Sequence, residues 1–137
     1  MNNLLKYWFP LIAVLTLIFI GSSLPGQILA QEPLLPTLPS TLEHMAEFFI
    51  LGVFMYRALK ATKVGRFSLE LAVLLGSFYG FTDEFHQLFV PGRVCSPLDL
   101  VFDIIGCVIG VLLMRLVVSV RRIKQTDKDF THSAIRL

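Results

Sequence analysis

The chain has 137 residues, of which 55% are hydrophobic and 16% are charged, with a net charge of +2 and a mean hydropathy of +0.71. This balance excludes a disordered chain and is too apolar for an ordinary soluble domain. The absence of interleaved basic and aromatic residues argues against nucleic acid as a partner. The length allows one domain with about four membrane spans of roughly 20 residues each.

Four apolar segments predict an all-α, membrane-spanning four-helix bundle over residues 1–120. In chain order, the predicted spans cover about residues 4–20, 41–59, 68–90 and 98–120. A proline-rich stretch over 27–40 predicts an extended loop after the first span. A polar, basic tail follows over 121–137. The first segment also resembles a secretory signal, and its cleavage stays an open alternative.

Basic residues are concentrated at one set of span ends. All lysines and arginines except Arg93 flank the same side of the four predicted spans. Because loops on the cytoplasmic side of a membrane carry an excess of lysine and arginine, both termini and the basic tail are expected in the cytoplasm. The opposite ends of the spans are then expected to face outward.

Ionisable residues are concentrated at those outward ends. Charged groups inside or beside membrane spans are costly unless they are paired, so they mark a candidate site. The candidate catalytic residues are Glu47, Asp83, His86 and Asp103. The candidates for ligand binding or a polar network are Glu43, His44, Glu84, Gln87, Arg93 and Asp99.

Two polar and glycine-containing stripes predict that the third and fourth helices face each other. The spacing puts each stripe on one helical face. Pairing antiparallel helices in one register would join Gly76 with Gly110, Gly80 with Gly106, Asp83 with Asp103, and Gln87 with Asp99. The glycines would allow close helix packing. Two facing carboxylates cannot both stay ionised cheaply without a nearby cation, and the candidate counter-charges are His44, His86 and Arg93.

Several roles for the polar residues stay open. His44 and Glu47, together with another acid and His86, could bind a divalent metal such as zinc or manganese, but the spacing is not diagnostic and no metal site is assigned. A proton relay through Glu47, Asp83 and Asp103 and a purely structural polar network are the alternatives. No nucleophile motif, phosphate-binding loop or dinucleotide-binding turn is present, so catalysis stays undecided and the cofactor unknown.

The run TDEFHQLFVPGR over 82–93, followed by Asp99, Gly106 and Gly110, resembles the signature of VanZ-like membrane proteins. His44, Glu47 and Phe48 resemble the HxxEY element of that family, and SSLPG over 22–26 is similar to its motif after the first helix. The resemblance covers about residues 10–115. The chain departs from the family pattern at Ser40 and Thr41, where a basic residue is common, at Phe48, where tyrosine is usual, and at Asp103, where asparagine is common.

The resemblance implies a small multi-pass protein of the bacterial cytoplasmic (inner) membrane. The family is named for low-level resistance to the glycopeptide antibiotic teicoplanin, which implies action in the cell envelope near cell-wall precursors. The expected function is the binding or modification of a lipid-linked or glycopeptide ligand, with membrane lipids as further partners. A small proton-coupled transporter or accessory subunit, and a membrane scaffold, are the alternatives. The oligomeric state is not predicted.

Overall fold

A computed structural model of the chain describes residues 3–26, 40–62 and 64–134. Over these ranges it consists of helices and turns, with no strand. The four α-helices are α1 (Asn3–Ser22), α2 (Ser40–Lys60), α3 (Ser68–Gln87) and α4 (Pro97–Ala134), and a short 3-10 turn covers Gly65–Phe67. The predicted all-α class is confirmed. Most of the stretch predicted as an extended loop, residues 27–39, lies outside the described residues.

Helix α3 ends at Gln87, earlier than the predicted end near residue 90. After the helix ends, the chain forms separate hydrogen-bonded turns, in one of which Val90 N donates to Gln87 O at 3.1 Å. Pro91 disfavours a helical conformation at the residue before it. Gly92 then has a φ of 74°, a left-handed conformation that glycine adopts without steric cost. The chain therefore reverses direction at Pro91 and Gly92 and returns toward α4.

Helix α4 begins where Ser96 and Pro97 favour a helix start. The Ser96 hydroxyl oxygen accepts the Asp99 backbone N–H at 3.3 Å, and proline suits the first helical position because its missing N–H is not needed there. The helix continues to Ala134 without a break at the predicted domain boundary near residue 120. The basic tail is thus helical as far as it is described, with residues 119–129 exposed.

The four helices form a bundle in which α2 is central. Helix α2 packs against each of the other three helices, and its contact with α4 is the most extensive in the bundle. Helices α1 and α3 contact each other less, although the Tyr79 hydroxyl donates to Leu15 O at 2.7 Å. The ends of α1 and α3 and the starts of α2 and α4 therefore lie at one end of the bundle.

Helices α2 and α4 approach each other closely at glycines. A Cβ atom at Gly106 would stand 3.0 Å from the carbonyl carbon of Met45, and one at Gly110 would stand 3.0 Å from that of Phe49. On the other helix, a Cβ at Gly52 would stand 3.0 Å from the carbonyl carbon of Cys107. Because these distances leave no room for a side chain, glycine is required on both helices.

The predicted register between α3 and α4 is wrong. Gly76 faces Cys107 and Gly80 faces Asp103, rather than Gly110 and Gly106. The reason is that α4 has two neighbours. Its Gly106 and Gly110 row packs against α2, and the adjacent row, with Asp103 and Cys107, packs against α3.

The surface of the bundle is largely apolar. Each helix exposes large hydrophobic side chains, for example Phe9, Ile50, Phe78 and Leu116. The fully buried side chains, in contrast, include Asp103 beside Phe48, Leu51, Cys107 and Val111. Helices α1 and α4 each contain a segment long and apolar enough to span a bilayer, Leu5–Ser22 and Pro97–Asp129. An apolar exterior around buried polar groups is the arrangement expected in lipid.

The packing of α4 on α2 predicts an unequal response to adding one methyl group. Gly106→Ala should destabilise the protein by about 1–3 kcal/mol, because the new Cβ meets the Met45 backbone, which cannot move aside as a side chain can. Gly21→Ala is the matched control, since nothing lies within 4 Å of a Cβ there. Thermal unfolding in detergent measures both variants, and an equal effect would contradict the described contact.

Candidate functional site

The polar residues singled out from the sequence lie at the end of the bundle where α1 and α3 end and α2 and α4 begin. Four of their polar side chains are almost completely buried there: Asp83, Glu84, Gln87 and Asp103, with exposures of 5%, 3%, 2% and 0%. Burying such groups is costly unless each finds partners. The partners of each group therefore indicate whether it has a structural role.

Asp83 is fully paired. The hydroxyl of Ser22 at the end of α1 donates to Asp83 Oδ1, sharing its single proton with Ile18 O. The Gln87 side chain, one turn along α3, donates from Nε2 to Asp83 Oδ2 at 3.1 Å. All of these polar side chains are buried. Asp83 therefore holds the end of α1 against α3.

His86 supports the same helix contact. Its Nε2 lies 3.1 Å from the Ser23 hydroxyl. Its ring also stacks on Phe19 of α1, with 4.9 Å between the ring centroids. The His86 side chain therefore contacts α1, whereas the sequence suggested it as a counter-charge for Asp83 and Asp103.

Arg93 binds backbone carbonyls at the end of α1. Its Nη2 donates to Gly21 O at 3.0 Å and its Nε donates to Leu24 O at 3.3 Å. The last carbonyls of a helix lack partners within the helix, and the negative end of the helix dipole favours a cation. The guanidinium therefore caps α1 instead of folding over the acidic residues as a counter-charge.

The turns after α1 and α3 contact each other directly. Gly26 N donates to Pro91 O at 3.1 Å. A Cβ at Gly26 would collide with the backbone of Gly92. The SSLPG and PGR motifs, which are distant in sequence, therefore form one contact between backbones.

A second group, formed by His44, Glu84 and Asp103, comes from α2, α3 and α4. His44 Nδ1 lies 3.2 Å from Asp103 Oδ1, and the His44 side chain is 11% exposed. Asp103 Oδ2 and Glu84 Oε1 are buried and have no hydrogen-bond partner within the described ranges. One ligand atom from each of the three residues lies within 4.8 Å of the other two. We refer to His44, Glu84 and Asp103 as the three-helix cluster.

The other oxygen of Glu84 is held in place. The backbone N–H of Ser96 donates to Glu84 Oε2 at 2.8 Å, just before α4 begins. A carboxylate is favourable at this position because the start of a helix carries a partial positive charge. Glu84 therefore ties the end of α3 to the start of α4 with one oxygen and keeps the second available within the cluster.

The remaining acidic candidates surround this cluster without entering it. Glu47 is half-buried and interacts electrostatically with His44, Asp83 and Asp103. Asp99 is half-buried in the first turn of α4, and Glu43 in the first turn of α2. The metal-ligand set suggested from the sequence thus changes: His44 stays, whereas Glu84 and Asp103 take the places given to Glu47 and His86.

The predicted pairing of Asp83 with Asp103, and of Gln87 with Asp99, is not what the structure has. Asp83 bonds to Ser22 and Gln87, and Asp103 lies in a cluster with Glu84. The cause is the register between α3 and α4: the face of α4 that meets α3 carries Asp103 and Cys107, not Gly106 and Gly110. The carboxylate pair exists, but its α3 member is the residue after Asp83.

A small cavity lies beside Glu84, one member of the three-helix cluster. It has a volume of about 150 Å³ and is lined almost entirely by apolar atoms of α3, α4 and the loop between them; Glu84, Cys95 and Ser96 are among its lining residues. Partial burial, the charge of Glu84 and a hydrogen bond to its carboxylate raise the pKa of the Cys95 thiol. The thiol is therefore protonated at neutral pH and is a weak nucleophile.

Comparison with protein families gives a match over residues 7–118 to the family described as VanZ/LLP1. The chain belongs to the VanZ/LLP1 family. Comparison with curated proteins and with solved structures gives no match. The match includes most of α1, all of α2 and α3, and the part of α4 that packs in the bundle, so the predicted family is confirmed and this VanZ/LLP1 chain is a helical membrane protein.

Sequence reasoning missed two serines of this VanZ/LLP1 chain. Ser22 was noted only as part of the SSLPG motif after the first helix, and Ser96 was not among the candidate site residues. Both are partners of buried carboxylates, Asp83 and Glu84. Ser22 lies in the SSLPG motif, which was the available signal. Ser96 acts through its backbone N–H, which no side-chain pattern reveals.

The pairing of Asp83 predicts that Ser22 matters more than an exposed serine in the same local setting. Ser22→Ala should lower stability by about 1–3 kcal/mol, because it leaves a buried carboxylate oxygen unpaired. Ser119→Ala is the matched control, since its exposed hydroxyl also bonds the carbonyl four residues earlier. Thermal unfolding in detergent measures the difference, and equal melting temperatures would rule out the Asp83 contact.

Proposed function

We propose that this VanZ/LLP1 protein binds a lipid-linked or glycopeptide ligand at the outer face of the bacterial cytoplasmic membrane. The observation that carries this proposal is the pair of buried, unpartnered oxygens, Glu84 Oε1 and Asp103 Oδ2, together with an apolar cavity that Glu84 lines. A ligand that offers both a polar donor and an apolar chain would satisfy both features. Catalysis on such a ligand is compatible with the proposal and not required by it.

The size of the cavity limits what can enter it. Pockets that enclose a drug-sized ligand have volumes of about 300–1,000 Å³. The cavity beside Glu84 has about 150 Å³, enough for a short chain segment or one functional group. Its walls include the exposed aromatic side chains of Phe81 and Phe85. The proposed ligand therefore inserts one segment here, and its larger part stays at the membrane surface.

The proposed orientation has four spans, with both termini in the cytoplasm and the three-helix cluster outside. It is supported by the distribution of basic residues. A second, open cavity of about 640 Å³ lies at the opposite end of the bundle, bordered by Lys6, Arg57, Lys60 and Arg121 from three helices. Basic residues around an apolar space suit anionic phospholipids, which are abundant in the cytoplasmic leaflet. Membrane lipids are thus proposed partners at this end.

A structural role is the second candidate for one part of the polar residues. Both oxygens of Asp83 are paired, and the ring nitrogen of His86 and the guanidinium of Arg93 bind α1. These groups fasten α1 to α3 and leave no unsatisfied oxygen to attract a ligand. The proposed binding function is therefore assigned to the three-helix cluster alone. Teicoplanin resistance and proton-coupled transport stay predictions.

Ligand binding can be tested with purified protein in lipid nanodiscs. The probes are a fluorescently labelled lipid-linked cell-wall precursor and teicoplanin. Glu84→Gln should weaken binding of the recognised probe by about tenfold or more, because a charged hydrogen-bond acceptor is lost. Glu70→Gln is the matched control, as the same substitution at an exposed position of the same helix.

The outcomes separate the two candidate roles. Binding by wild type and Glu70→Gln, with weak binding by Glu84→Gln, supports the proposal. Equal binding by wild type and Glu84→Gln, or binding of neither probe by wild type, contradicts it. Asp83→Asn should reduce the yield of folded protein, because the amide NH2 that replaces one carboxylate oxygen cannot accept the hydrogen bond that Ser22 or Gln87 donates.

A further inference from the structure

The three-helix cluster is assembled from residues that only the bundle brings together. His44 is in the first turns of α2, Glu84 in the last turn of α3 and Asp103 in the second turn of α4. These residues are far apart in sequence, and none of the motifs predicts them as a set. Their ligand atoms nevertheless lie within 4.8 Å of one another in the interior of the bundle.

Two carboxylate oxygens in this cluster require a partner. Asp103 is 0% exposed and Glu84 is 3% exposed, and each has one buried oxygen without a hydrogen-bond partner within the described ranges. Two ionised carboxylates this close in a poorly solvated site repel each other unless positive charge is placed between them. The imidazole of His44 reaches Asp103 Oδ1, so the two unpartnered oxygens remain to be satisfied.

Either a proton or a metal ion can meet this requirement, and the donor set favours a metal ion. One imidazole and two carboxylates are ligands that zinc, manganese and iron accept, and carboxylates alone would suit magnesium or calcium better. Two carboxylates neutralise the charge of a divalent ion. Three protein ligands also leave a coordination position open for water or a ligand atom.

We propose that His44, Glu84 and Asp103 bind a divalent transition-metal ion. Metal–ligand distances of about 2.0–2.2 Å would require the three ligand atoms to approach each other more closely than their present separations of up to 4.8 Å. Of the three proposed ligands, Glu84 also lines the apolar cavity of about 150 Å³.

The surroundings of the cluster hold the proposed ligands in place. The Ser96 N–H bonds the Glu84 oxygen that is not directed at the metal site, as partners of metal-binding carboxylates do. Gly80 leaves the space beside Asp103, because a Cβ there would stand 3.5 Å from Asp103 Oδ2 and 3.1 Å from the Phe48 ring. Phe48 of α2 is fully buried and lies beside Gly80 of α3.

The direct test is a titration of chelator-treated wild-type protein in detergent with Co²⁺, whose visible absorption reports its ligands. About one equivalent should bind per chain with absorption bands of a nitrogen and oxygen site. Zn²⁺ should displace the Co²⁺, and Mg²⁺ at the same concentration should not. Bound metal should also raise the melting temperature, because it stabilises only the folded state.

Shape-conserving variants locate the ion. Glu84→Gln and Asp103→Asn should each weaken Co²⁺ binding by about tenfold or more, since loss even of an outer partner of a metal ligand costs 10–100-fold. Glu70→Gln and Asp127→Asn are the matched controls at exposed positions of the same two helices, and they should bind Co²⁺ as wild type does.

Each result decides the proposal. Absence of Co²⁺ bands in wild type overturns it and leaves a shared proton as the partner of the two oxygens. Equal affinity of Glu84→Gln and wild type overturns it as well, because the ion would then be elsewhere. The titration needs no lipid or glycopeptide, so metal binding can succeed or fail independently of ligand binding. A variant that fails to fold leaves the wild-type titration as the deciding measurement.

Discussion

The close approach of α2 and α4 determines where the other parts of the structure lie. With Gly52, Gly106 and Gly110 at the contact, the two helix backbones meet without intervening side chains. Since the helices are parallel, this contact also sets their starts at one level and brings His44 beside Asp103. Helix α3 then packs on the neighbouring face of α4, and α1 packs mainly on α2. In lipid, where apolar side chains gain little from leaving their surroundings, such close packing is a main source of helix association.

The polar end divides into two groups with different states of hydrogen bonding. Around Asp83 the acceptors and donors match, and the product is a contact between the end of α1 and the end of α3. Around Asp103 and Glu84, two acceptor oxygens, Asp103 Oδ2 and Glu84 Oε1, have no donor within the described part of the chain. A buried polar group that lacks a partner costs about 1–3 kcal/mol, and more when it is charged. Function is therefore sought in the second group, because its unpartnered oxygens lower stability and a bound partner would offset that cost.

Much of the fold could be predicted from the sequence, because long apolar runs interrupted by proline and glycine have few alternatives to helices. The family was also predictable, since the motif over 82–93 is long. The neighbours of each helix were not. A stripe such as Gly106 and Gly110 indicates close packing but does not say which of two adjacent helices it meets. Because of that error, Asp83 was predicted as the neighbour of Asp103, whereas the structure has Glu84 there.

Charge was also a poor guide to the partners of individual residues. Arg93 was expected to pair with acids, but the free carbonyls at the end of α1 offer it acceptors with negative partial charge. Ser96 contributes a backbone N–H, which every residue except proline has, so its type gives no signal. Interactions between side chains and helix ends depend on how two elements meet in space. They become predictable only when the packing of those elements is known.

The length of α4 has a mechanical consequence. Its 38 residues make a rod of about 57 Å, whereas the hydrocarbon core of a bilayer is only about 30 Å thick. The start of the rod is fixed by Ser96, and its middle is fixed by the contact with α2. A helix of this length that crosses the hydrocarbon leaves about 20 Å or more of continuous helix beyond it, instead of a flexible linker. A molecule bound to the charged end of α4 would transmit force along this continuous helix to its contact with α2.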